Sequence, residues 1–91
     1  MTPRDKTLSD IGLIALKHGL TRHDLLGRER FPRISKARHE AFYYFRRKGW
    51  SYPEIGRLFG RDHSTIIHGV ERHQKVMFAL PINAGVTEGL I

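Results

Sequence analysis

Arg61-Asp62-His63-Ser64-Thr65 places a guanidinium, a carboxylate, an imidazole and two hydroxyls next to one another. A hydrolytic site needs a nucleophile, a base and an orienting group gathered in a pocket. The polar residues of this short chain fit capping and nucleic-acid contact instead, so no enzymatic activity is expected. The five types together suit the reading of base edges. Aspartate accepts from cytosine N4, histidine donates to an acceptor edge, and serine or threonine bonds a phosphate or a base. Arginine forks onto phosphate or guanine. At the start of a helix such side chains project past its end, and the backbone N–H groups there favour phosphate oxygens. Taken singly, Asp62 also reads as a plain N-cap, and Ser64 and Thr65 as ordinary helix-opening residues. Phosphate binding does not call for an acidic residue in a basic face, whereas cytosine reading does.

The position of that cluster follows from the helix start and stop signals. Ser51-Tyr52-Pro53-Glu54 has Ser at an N-cap, Glu at N3 and Pro in the first turn, and the short helix it opens ends at Gly60. Asp62 then caps a helix from His63 to about Ala79, with Ile66, Ile67, Val70 and Met77 inward and Pro81 as its stop. A short helix, a tight glycine turn and a longer helix are the outline of a helix-turn-helix. Upstream, Thr7 and Asp10 have capping-box spacing before Ile11, Leu13, Ile14 and Leu16, which predicts a helix over about Leu8 to His18. Thr21 and Asp24 open a short turn of helix closed by Gly27. A basic irregular stretch from Arg28 to Arg33 follows, in which Pro32 is read as delaying the next helix. Ile34, Ala37, Ala41, Phe42 and Phe45 predict a third helix over about Ser35 to Lys48. The fold class expected is therefore all-α, a compact bundle of about five helices containing a helix-turn-helix. It forms a single domain over 1–81, with a flexible tail over 82–91.

Charge supports the same partner. The 91 residues carry a formal net charge of +7, with a pI near 10.4. Eleven of the sixteen cations are arginine. A field of that sign attracts polyanions, of which nucleic acid is the commonest in a cell. Arg28, Arg30, Arg33, Lys36, Arg38, Arg46, Arg47 and Lys48 bring half the positive charge into 21 residues. Six phosphate contacts from this set would give a log–log salt slope of about −5. Arg46, Arg47 and Lys48 read more simply as a solvated helix end favourable to the macrodipole.

The run Tyr52-Pro53-Glu54-Ile55-Gly56-Arg57-Leu58-Phe59-Gly60-Arg61-Asp62-His63-Ser64-Thr65-Ile66-Ile67-His68 closely resembles the signature of the C-terminal duplex-DNA-binding domain of the bacterial replication initiator DnaA. The likeness extends through Asp24-Leu25-Leu26, the basic loop and the helix near Ser35, covering roughly Leu8 to His73. It implies sequence-specific binding of double-stranded DNA at DnaA-box-like sites, in the regulation of replication initiation or of transcription, by a bacterial, cytoplasmic, nucleoid-associated protein. It also implies site roles. Asp62, His63 and Ser64 would contact bases in the major groove, with Arg61 and Thr65 beside them. Lys36, with Arg33 and Arg38, would enter the adjacent minor groove. Arg28, Arg30, Pro53, Arg57 and His68 would meet the backbone. Three positions depart from the family's pattern. Gly60 stands alone where two glycines are usual. Ser64 replaces a Thr and loses a methyl, and Lys36 replaces an Arg.

Other chemistries find less support. Phe42-Tyr43-Tyr44-Phe45 beside a basic run raises a base-stacking platform or a membrane-surface helix, but the spacing fits Phe42 and Phe45 as core. His63, His68 and His73 are five apart, which turns successive side chains about 140° from one another, so no metal site is expected. There is no phosphate-binding loop of the Gly-x-x-x-x-Gly-Lys-Ser/Thr kind, so neither a nucleotide nor any other cofactor is expected. No apolar run approaches the ~20 residues of a membrane span. Cysteine is absent, which suits a reducing cytoplasm. Met1 reads as a start and Pro81 to Ile91 runs past the usual end of the family's domain, so a stand-alone reader, monomeric on DNA, is expected. The competing class is a protein-interaction adaptor that uses the helix-turn-helix only as scaffold.

Overall fold

Residues 3–79 are described by a computed structural model, and they form five helices with no strand among them: α1 Pro3–Lys17, α2 Arg22–Leu26, α3 Pro32–Arg47, α4 Tyr52–Phe59 and α5 His63–Ala79. The fold is all-α, with α3 at its centre in contact with α1, α2, α4 and α5. The apolar spacing along α3 accounts for this position. Ala37, Ala41, Phe42 and Phe45 are all within 1% of complete burial, and they meet Ile11 and Ala15 of α1, Leu25 of α2, Ile55 and Phe59 of α4, and Ile66 and Val70 of α5. The Phe42 and Phe59 rings stand edge to face, 4.9 Å apart at 79°, the arrangement that aromatic quadrupoles favour. The Tyr43 and Tyr44 side chains are half-buried, and Phe45 also stacks at 4.9 Å on Trp50, so the aromatic run serves the core.

Two helix starts differ from the expected ones. α1 begins at Pro3, so Thr7 lies within a continuous helix and its spacing to Asp10 marks no N-cap. α3 begins at Pro32 rather than near Ser35. Proline delays nothing there, because the first helical position has no intrahelical partner for an N–H and the fixed φ already suits a helix. On α1, Ile11, Ile14 and Ala15 face inward while Leu13 and Leu16 are 65% and 70% exposed. The expected tail over 82–91 lies outside the described residues.

The turn between α4 and α5 closes with one glycine. Gly60 is left-handed at φ 66°, and its N–H donates to the Arg57 carbonyl. The Arg61 N–H then reaches back to the Gly56 carbonyl at 2.8 Å, a 6→1 bond that completes a Schellman closure. The chain returns so closely that a Cβ on Gly56 would lie 2.5 Å from the Arg61 carbonyl oxygen. Gly56→Ala is therefore expected to cost about 1–3 kcal/mol in urea denaturation by forcing the turn open; an unchanged midpoint would contradict this packing.

Two imidazoles give the fold a pH dependence. Burial, then the charges of Arg72, Arg38 and His73, pushes His39 below its ordinary value of 6.5. Burial also lowers His73. Such groups bind protons more readily in the unfolded chain, so their stabilisation is complete above pH 6.5 and lost as the pH falls through their folded values. Unfolding midpoints should drop between pH 7.5 and 5.5, and His39→Gln should flatten that dependence. Equal midpoints at both pH values would rule the effect out.

Candidate nucleic-acid interface

α4 is set by a reciprocal capping box. The Ser51 N–H donates to Glu54 Oε1 at 2.8 Å and the Glu54 N–H donates to Ser51 Oγ at 3.2 Å. The same device fixes α2, where Thr21 and Asp24 exchange the equivalent bonds. Beyond the glycine turn, Asp62 Oδ2 accepts the Ser64 N–H at 2.9 Å, and its carbonyl accepts from Thr65 and Ile66. This bond from Ser64 holds the Asp62 carboxyl below the usual carboxylate range. Asp62 thus caps α5 with one oxygen, while Oδ1 stands 3.9 Å from His63 Nδ1. Asp62, His63, Ser64 and Thr65 are all exposed. They form a charged and hydroxyl-bearing tip at the N-terminal end of the helix, whose dipole favours anions.

The loop between α2 and α3 lies against that tip. Arg28 and Arg30 are exposed and close enough to Arg61 for their charge to act on it. Together with Ser35, Asp62 and Thr65 they line one cleft. Lys36 is exposed on the next groove, with Pro32, His39, Arg72 and His73. Arg33 is exposed and donates to the Gly19 carbonyl at 3.3 Å. Pro53 and Arg57 share the outer face of α4, but Arg57 borders a separate groove with Thr7, Leu8 and Trp50. His68 lies further along α5 with Glu71, Arg72 and Lys75. Arg72 and Lys75 were not anticipated from the sequence, although their spacing from His68 and Glu71 places them on the same exposed face.

Two arginines occupy places other than those expected. Arg38, expected near a minor groove, is only 5% exposed. Its Nε donates to the Leu25 carbonyl at 2.8 Å and Nη1 to Glu29 at 3.1 Å; Nη2 donates to Asp24 at 3.0 Å and to Gly27 at 3.1 Å. The reason is its register: Arg38 follows Ile34 and precedes Phe42 by four residues, which places it on the inward stripe of α3. Burial and neighbouring Arg61 lower its pKa against the favourable charge of Glu29. Arg61, expected at the major groove, turns back into the protein. Its Nη1 donates to the Phe59 carbonyl at 2.9 Å and its Nη2 to Gly27 at 2.7 Å. Both guanidiniums hold the loop that carries Arg28 and Arg30. Arg38→Met would take a donor from four carbonyls and leave three of them, those of Asp24, Leu25 and Glu29, without a guanidinium, and should cost about 3 kcal/mol or more in chemical denaturation. A loss below about 0.5 kcal/mol, the scale of an ordinary surface change, would contradict a buried anchor.

The family described as bacterial DnaA protein helix-turn-helix matches residues 6–72. The chain is 36% identical over 80 residues to the chromosomal replication initiator protein DnaA of Rhizobium meliloti, covering 85% of this chain and 17% of that protein. The protein of the same description from Tropheryma whipplei is 39% identical over 87 residues, 79% of this chain and 18% of its own length. That from Cereibacter sphaeroides is 38% identical over 66 residues, 70% of this chain and 14% of its own. The chain thus spans less than a fifth of the length of these relatives. No solved structure matches it significantly. With its short helix, glycine turn and long helix inside the matched segment, the chain belongs to the bacterial DnaA helix-turn-helix family.

Proposed function

We propose that this protein is a sequence-specific binder of double-stranded DNA that recognises DnaA-box-like sites and carries no catalytic activity. The observation that supports this most is the exposed Asp62-His63-Ser64-Thr65 tip of α5 beside a loop presenting Arg28 and Arg30. In this reading the tip enters the major groove, where Oδ1 of Asp62, the oxygen not used in the cap, accepts from a cytosine and His63 donates to an acceptor edge. Arg28, Arg30, Arg33, Lys36 and Arg57 neutralise phosphates, with Lys36 nearest the flanking minor groove. Pro53 and the N-terminus of α4 approach the backbone, and His68 follows it along α5. The relatives are chromosomal replication initiators. A chain with this reader would act in replication initiation, by occupying initiator sites, or at promoters. It would bind an asymmetric site as a monomer in the bacterial cytoplasm.

A second reading, protein docking, draws on the exposure of Leu13 and Leu16 on α1. Fluorescence anisotropy at about physiological salt separates the two. A DnaA-box duplex should bind at least about tenfold more tightly than a scrambled one. Asp62→Asn with His63→Ala should erase the preference, since asparagine keeps the cap but not the carboxylate. Five phosphate contacts predict a log–log salt slope of about −4.5. Equal binding of both duplexes by the unaltered protein would refute sequence reading, and no binding would favour docking.

A further inference from the structure

We propose that Arg61 is a positioning residue: it ties the arginine-bearing loop to the opening of α5, and so governs which duplexes the chain prefers rather than how strongly it is drawn to phosphate. The inference rests on the duplex-binding reading and adds a role to a residue that touches no base in it. Arg61 lies between Gly60, which ends the helix-turn-helix turn, and Asp62, which caps α5. Its planar fork reaches two carbonyls that are remote in sequence, Phe59 at the end of α4 and Gly27 just after α2. The Gly27 carbonyl also receives Arg38 from α3, so one peptide oxygen is held by guanidiniums from both sides. There is little room for a side chain at Gly27, since a Cβ there would sit 2.9 Å from Glu29 Oε1 and 3.1 Å from the His23 carbonyl oxygen.

A simple anchor would avoid this location. Arg61 stands among Arg28, Arg30 and Arg38, and burial together with that charge works against its own. The arrangement gains something a neutral amide lacks, because the rigid guanidinium reaches the two carbonyls from two separate nitrogens, Nη1 and Nη2. The consequence is geometric. Base hydrogen bonds weaken steeply with misalignment, whereas phosphate attraction tolerates small shifts. Loosening the tie therefore penalises a matched site, where loop and helix tip must engage together, more than a random duplex.

The test compares the unaltered protein with Arg61→Lys and Arg61→Gln, each checked by its thermal midpoint. Each binds a DnaA-box duplex and a scrambled duplex over a range of salt. Lysine keeps the charge but not the fork, so it isolates geometry from electrostatics even if the glutamine variant is poorly folded. Arg61→Lys is expected to lower box affinity about tenfold, to leave scrambled-duplex affinity unchanged and to keep the salt slope. Arg61→Gln should likewise lose the preference. Lysine restoring the full preference would overturn the role. So would a glutamine variant that weakens both duplexes equally with the slope reduced by about 0.9, the behaviour of a direct phosphate contact. A wild-type protein that binds both duplexes alike would overturn the functional reading and this role together; a wild-type preference kept by the lysine variant overturns the role alone.

Discussion

The buried guanidinium of Arg38 is the constraint around which the rest of this small fold is arranged. A permanent charge within a helical core is costly unless every donor is used, and here the donors go to four carbonyls of one short segment, residues 24–29. Those carbonyls lie at and just beyond the end of α2, where the helix leaves its last oxygens unpaired and its dipole favours a cation. One side chain of the central helix therefore ends α2, shapes the loop after it and fixes where Arg28 and Arg30 emerge. A five-residue helix has little stability of its own. Its place depends on Leu25 in the core, the capping box at Thr21 and the arginine at its far end.

The other half of the candidate interface is built by different means. The α4–α5 turn depends on a left-handed Gly60 and on the missing side chain of Gly56, and α5 opens on Asp62, whose carboxylate caps it while remaining exposed. Arg61 joins the two halves through the Gly27 carbonyl. Arginine thus has two uses in this chain. Arg38 and Arg61 organise backbone, and the exposed Arg28 and Arg30 remain available to a polyanion.

Much of the architecture was legible because helix ends carry local signals. Thr21 with Asp24, Ser51 with Glu54, and Gly60 each work through neighbours a few residues away, and each forms the expected cap or turn. Local signals also misled where they admit two meanings. Pro32 disfavours a helix interior yet suits its first position, and Thr7 with Asp10 has capping spacing inside a continuing helix. Arg38 sits in register with Ile34 and Phe42, so its burial was visible in the periodicity, but its charge type suggested the surface. The engagement of Arg61 was not legible at all. Its partner Gly27 is 34 residues away, and no local pattern encodes that distance.

In the proposed mode of binding the α5 tip occupies the major groove, Lys36 lies at the flanking minor groove, and the arginine loop meets phosphates beside them. Dimethyl sulfate methylates guanine N7 in the major groove and adenine N3 in the minor groove, so interference mapping on a DnaA-box duplex reports both at once. Interference is expected at guanine N7 positions in one stretch of the box and at adenine N3 positions immediately beside it. Interference confined to a single groove, or spread evenly along the duplex, would contradict this mode of binding.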